Sequence, residues 1–170
     1  MKRLLLSLLF VGLALDVCGA DRATEISKLK RLAEDGDARA ALSLGMRYRD
    51  GRGVKQNHKE ALKWYRVCAD LDDADGLDNV GFMYLRGWGV PEDFGIATAY
   101  FKASAKKGHA QSLYNLGNSH FSGQGVEQDY AAAIKAWEKA ADQGHPAATW
   151  RLACLLAAGE GMLRDRAKAI

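Results

Sequence analysis

The residues of this 170-residue chain that could do chemistry are few and scattered. Its histidines are His58, His109, His120 and His145, and none has a cysteine, a carboxylate or a second histidine at the spacing a metal site needs. His109 and His145 stand just before helical patterns, where a side chain can satisfy free backbone N–H groups, so helix capping is the expected role of both. The acidic run Asp70, Asp72, Asp73, Asp75 and Asp78 resembles a calcium loop in composition only. With Asp75 and Gly76 at the loop's acidic and glycine positions, its first ligand falls on Leu71 and its closing glutamate on Phe82, and neither can ligate. No serine or cysteine has a histidine placed beside it by motif, and the Gly-x-Gly segments lack the preceding strand and following Lys-Ser/Thr of a phosphate cradle. No catalytic residue, metal or cofactor is therefore expected. What remains is recognition chemistry. Asn79, Asn115 and Arg151 recur at one spacing and could pair with peptide groups or a carboxylate, while Phe82 and Trp88 could anchor a partner.

These residues are positioned by a repeat. Shifting the chain by 36 residues aligns Gly51, Gly87, Gly123 and Gly159, then Gly53, Gly89, Gly125 and Gly161, then Ala61, Ala97, Ala133 and Ala169. Each unit splits into two helical stretches around the Gly-x-Gly turn. In the first, Ala41, Leu44, Gly45 and Tyr48 lie on one face, as do Leu77, Val80, Gly81 and Tyr84. In the second, Ala61, Trp64, Tyr65, Cys68 and Ala69 recur as Ala97, Tyr100, Phe101, Ser104 and Ala105, so large rings alternate with alanines as interlocking faces require. Asp37, Asp73, His109 and His145 hold the N-cap column, with Pro146 next at the first helical position. Gly36, Gly108 and Gly144 close the preceding helices, with Asp72 in their place at the end of the first repeat.

The pattern Leu44-Gly45-x-x-Tyr48-x-x-Gly51-x-Gly53-Val54, followed by Glu60-Ala61-x-x-Trp64-Tyr65-x-x-x-Ala69, resembles the Sel-one-like repeats, a branch of the tetratricopeptide-type solenoids. It recurs from Val80 to Val90 and from Leu116 to Val126, with departures at His120, Ala153 and Met162. The resemblance implies an all-α, right-handed α/α superhelical solenoid of 36-residue helix-turn-helix repeats. On this reading residues 1–20 are a leader, 21–36 a capping helix, 37–72, 73–108 and 109–144 full repeats, and 145–170 a partial fourth. Because the second helix of that last repeat is cut short, its end is expected to fray or to pair, with a partner or end to end with a second copy. The resemblance also implies that the outward face of the first helices, through positions 79, 82, 115 and 151, lines a concave groove for a peptide or a partner's loop. An ordinary solvated face is the other reading of those positions, and for Trp88 folding back onto a neighbouring turn is the alternative.

Composition limits the partner. With 24 Lys+Arg against 21 Asp+Glu the excess positive charge is too small to argue for nucleic acid. Lys2 and Arg3, the apolar run from Leu4 to Leu15, and Cys18-Gly19-Ala20 read as a secretory signal peptide cut after Ala20, leaving no membrane anchor. Lipidation at Cys18 is disfavoured because Asp16 and Val17 stand where small residues are wanted. The expected protein is periplasmic or secreted, not an enzyme, and binds another protein as an envelope scaffold or signalling regulator. The resemblance also implies two alternatives: an immunity protein neutralising a toxic secreted enzyme, or a cell-wall hydrolase of the cysteine-rich branch, whose cysteine pair per unit this chain lacks.

Overall fold

The computed structural model describes residues 24–157. The expected leader (1–20), the turn holding Gly159 and Gly161, and residues 162–170 of the last repeat lie outside the described residues. Within them the chain forms an all-α solenoid of eight helices: α1 (24–34), α2 (Ala38–Asp50), α3 (His58–Asp70), α4 (Ala74–Arg86), α5 (Phe94–Lys106), α6 (Ala110–Ser122), α7 (Tyr130–Asp142) and α8 (Pro146–Ala157). Each packs mainly on the next along the chain. Helices α2, α4, α6 and α8 are the first helices of the units, and α3, α5 and α7 the second. No described helix is long and apolar enough to cross a membrane.

The helix ends follow from their residues. Asp37 accepts from the N–H of Ala40 at 3.1 Å and Asp73 from that of Gly76 at 3.0 Å, satisfying donors that a first turn leaves free. The second helices start from Asn57, Asp93 and Asp129, whose side chains accept from the N–H groups of Glu60, Ile96 and Ala132. Where α1, α5 and α7 close with Gly36, Gly108 and Gly144, α3 closes with Asp72, which adopts the same left-handed conformation at φ 60° and pairs with Lys107. Asp is among the residues that tolerate this region.

In the turns of units two and three the second glycine has a tighter requirement than its dihedral angle. Gly89 lies against the start of α3, so that a Cβ there would sit 2.7 Å from the carbonyl carbon of His58, and Gly125 lies still closer to Phe94. These two turns are thereby wedged against the second helix of the preceding unit. Inside the units, Gly45, Gly81 and Gly117 let a ring approach the first helix: a Cβ on Gly81 would come within 2.8 Å of the Phe101 ring. The rings that fill these gaps, Tyr65, Phe101 and Trp137, are almost wholly buried, with Leu44, Val80 and Met83 between them. Cys68 is buried and its thiol is pushed up to about 12, chiefly by desolvation, while Cys154 is exposed and both are free.

Candidate partner-binding face

Asn79, Asn115 and Arg151 stand at equivalent points of α4, α6 and α8, each half-buried. Their polar groups already tie units together. Asn79 takes a 3.5 Å hydrogen bond from Arg49 of the preceding first helix and donates to the carbonyl of Asp75 at 2.8 Å. Arg49 itself grips Asp50 at 2.7 Å, which holds the Asp50 carboxyl below its usual range. Asn115 donates to Asp78 at 3.1 Å and accepts from Gln111 at 3.2 Å. Arg151 has its guanidinium 5.9 Å from the centre of the Trp137 ring and 6.0 Å from that of Trp150, and its buried Nε has no partner.

Phe82 and Trp88 come together. Trp88 turns back over the preceding unit and stacks on His58 at 4.7 Å, Phe82 meets its indole edge-on at 5.5 Å, and the Arg86 guanidinium lies 5.3 Å from the Phe82 ring. Both rings are half-buried, so the cluster seals the junction of units one and two while keeping an outer surface.

The junction of units two and three differs. Asp78 sits where the other units carry Leu42, Tyr114 and Trp150, and only 8% of it is exposed. Ser112 donates to it at 2.6 Å, and Ser104 lies 2.7 Å from Ser112. His109 corrects the expectation that it caps α6: it makes no side-chain cap bond, and its imidazole spans the units instead, Nδ1 at 2.8 Å from Ser112 and Nε2 at 2.9 Å from Asp75. His145 does cap, its Nδ1 accepting from the N–H of Ala148 at 3.3 Å, and its Nε2 lies 3.0 Å from Gln111. Asp75, His109 and Ser112 have the connectivity of a nucleophilic triad, yet Ser112 is fully buried and hydrogen-bonded to Asp78, so its oxygen has no path to a substrate. Among the described residues no group of three His, Cys, Asp or Glu side chains could hold a metal ion.

Proton accounting shows how the network works. A carboxylate only accepts, so His109 Nε2 carries a proton toward Asp75. Ser112 donates to Asp78, and Ser104 donates to the carbonyl of Ala74 at 2.7 Å. Burial raises the Asp78 pKa above the ordinary 3.8, against the opposing pull of Ser112, His109 and Asn115. The folded state thus binds a proton more tightly than the unfolded one. The stability this lends is fully present below pH 3.8 and is lost as pH rises through the folded value. Asp78→Asn keeps an acceptor for Ser112 and Asn115 without the charge, so its melting temperature at pH 7 should equal or exceed the parent's and its stability should fall less between pH 4 and 7. Asp78→Leu strands those donors and should cost about 1–3 kcal/mol. Thermal melts across that range check both, and a steeper pH dependence in Asp78→Asn would contradict the assignment.

Beside this network lies a pocket of about 120 Å³, floored by Phe101 and the Thr98–Ser119 hydroxyl pair (3.0 Å) and walled by Leu85, Asn115, Asn118 and Gln124. The side-chain oxygen of Asn118 is shielded and unpaired. Sequence reasoning missed both the pocket and the network. The signal was present in three columns, where Asp78 replaces large apolar residues, Ser104 replaces Cys68 and Ala140, and Ser112 replaces Ala40, Gly76 and Ala148.

Comparison with known proteins finds relatives of this repeat. The Sel1 repeat family model matches residues 38–73, 74–109, 110–145 and 146–170. Two solved structures are about a third identical to this chain over the aligned residues, the first of them matched over only 28% of its own length. One is c5321, a protective antigen present in uropathogenic Escherichia coli strains displaying an SLR fold (33% identity, 77% of this chain and 28% of that one, TM-score 0.74). The other is a Sel1 repeat protein from Oxalobacter formigenes (34% identity, 75% and 96%, TM-score 0.68). Helicobacter pylori cysteine rich protein B shares the fold at 21% identity over 77% of this chain and 94% of that one, with a TM-score of 0.62. None of the curated protein sequences is a match.

Proposed function

The chain belongs to the Sel1 repeat family, whose members are generally protein-interaction modules, and from that premise we propose that it binds another protein as a scaffold or signalling regulator of the cell envelope. The leader-like sequence of residues 1–20 supports a periplasmic or secreted location, with cleavage after Ala20. The observation that carries the reading is the outward row of the first helices. The ring columns inside repeat from unit to unit, whereas this row reads Asn79 and Phe82, then Asn115 and Asn118, then Arg151 and Cys154, half-buried or exposed throughout. A face that varies over a constant core suits recognition of one particular surface.

The partner contact runs along this row, with Phe82 and Trp88 at its aromatic end, Asn79 and Asn115 in the middle and Arg151 at the far end. The test couples location to binding. Cell fractionation with intact-mass measurement should find the protein outside the cytoplasm beginning at Asp21. Immobilised protein should retain a defined envelope protein, and Phe82→Ala or Arg151→Ala should weaken that complex at least tenfold, about 1.4 kcal/mol. A retained leader would overturn the location, and alanine variants that bind as tightly as the parent would overturn the face.

A further inference from the structure

The pocket between units two and three is a place where this chain fills the preceding junction with its own side chains. Moving back 36 residues, Thr98 becomes Leu62, Ser119 becomes Met83, Asn118 becomes Phe82 and Gln124 becomes Trp88. At the first junction Leu62 is 4% exposed and Met83 fully buried, and the Phe82 and Trp88 rings close over them. At the second junction all four are replaced by shorter or more polar side chains on the same backbone plan, and the volume they would have occupied is the pocket of about 120 Å³. A cavity of about 150 Å³ is known to admit a benzene ring. An opening slightly smaller takes the leading part of an aromatic side chain whose remainder stays at the surface.

We propose that this pocket is a subsite for one aromatic side chain of a partner polypeptide, occupying the place that Phe82 and Trp88 fill at the first junction. The inference rests on the protein-binding reading above and names what the partner must present. The walls specify more than a ring. Thr98 lies 3.0 Å from the Ser119 hydroxyl and 3.2 Å from the Gln124 carbonyl, so with Ser119 donating to Thr98 and Thr98 to that carbonyl both protons are placed, and an apolar edge can lie over them without stranding a donor. The Asn118 oxygen lacks a partner, so its amide is free to turn toward an N–H next to the ring. That N–H belongs to an indole or to the partner's backbone. Phe101, 1% exposed, closes the inner side with an aromatic face.

The probe is N-acetyl-tryptophanamide, an aromatic residue with peptide groups on both sides, titrated into the isotope-labelled protein and followed by NMR. The signals of Thr98, Asn115, Asn118, Ser119 and Gln124 should shift saturably, with a dissociation constant of about 1 mM for so small a ligand. N-acetyl-glycinamide, which lacks the ring, should leave them unmoved. Two plugged variants copy the first junction: Thr98→Leu with Ser119→Met fills the floor, and Asn118→Phe with Gln124→Trp fills the mouth. Either should weaken the probe at least tenfold. The proposal falls if N-acetyl-tryptophanamide gives no saturable shift at these residues, if the glycine compound shifts them equally, or if a folded plugged variant binds like the parent. Selection of peptides from a random displayed library separates this failure from that of the wider reading. Peptides that bind parent and plugged proteins alike leave protein binding standing and overturn the subsite. A probe that fills the pocket while no peptide is selected supports the subsite and removes its role in protein recognition.

Discussion

Gly125→Val should unfold this protein or cost it at least about 3 kcal/mol, while the same substitution at Gly108 should cost about half as much or less. Both glycines have φ in the left-handed region, 74° and 82°, where a β-branched side chain is strained. They differ in their neighbours. A Cβ on Gly108 meets nothing within 4 Å, whereas a Cβ on Gly125 would lie inside the contact distance of the Phe94 carbonyl and 2.7 Å from the N of Gly95. Those are backbone atoms at the start of α5, and they cannot step aside without moving the helix. The difference between the two variants therefore isolates the wedge that seats the third unit's turn on the second unit. Chemical denaturation of the pair measures it, and equal losses would mean that the dihedral alone matters.

Trp137→Ala should be the most damaging ring deletion, with a loss of about 3–5 kcal/mol and a fall in melting temperature on the order of 10 °C. The indole is 1% exposed, donates to the Tyr114 carbonyl at 3.2 Å and lies 5.4 Å from Phe121 centre to centre. It also fills the space that Gly117 leaves, so that a Cβ on Gly117 would stand 3.0 Å from its Cε2. Gly117→Ala should thus destabilise the parent by overpacking and be tolerated better in Trp137→Ala, where the cavity receives the methyl group. A double-mutant cycle by thermal denaturation reads this coupling, and strictly additive losses would show that the glycine has another purpose.

The repeat was legible because a period of 36 residues leaves its mark wherever one residue type is required. Left-handed turns require glycine, and Asp72 stood out in the sequence at the place where the structure gives it φ 60°. Ring positions are legible for the same reason, since Tyr65, Phe101 and Trp137 meet Gly45, Gly81 and Gly117. What a single repeat cannot disclose is the pairing of residues from different units. His109 looks like a cap because it occupies the column of Asp37 and Asp73, and only the fold brings Asp75 and Ser112 to its two nitrogens. Asn79 and Asn115 looked free for a partner, but Arg49 of the preceding unit donates to the Asn79 oxygen and Asp78 of the preceding unit accepts from the Asn115 amide. The pocket required a comparison of columns across a junction. Four substitutions from Leu62, Met83, Phe82 and Trp88 signify little one at a time and leave a void only when they face each other.

The two inner junctions also differ mechanically. The first is held by Leu62, Met83 and stacked rings, a greasy joint that resists sliding through close packing. The second is held by Asp78, Ser104, Ser112 and His109, whose hydrogen bonds are directional and short in reach, beside an unfilled gap. In an array whose units touch only their neighbours, tension passes through each joint in series, so extension is set by the most yielding one. Of these two joints the second, with its gap, yields more readily under tension, and a side chain that filled the gap would stiffen it.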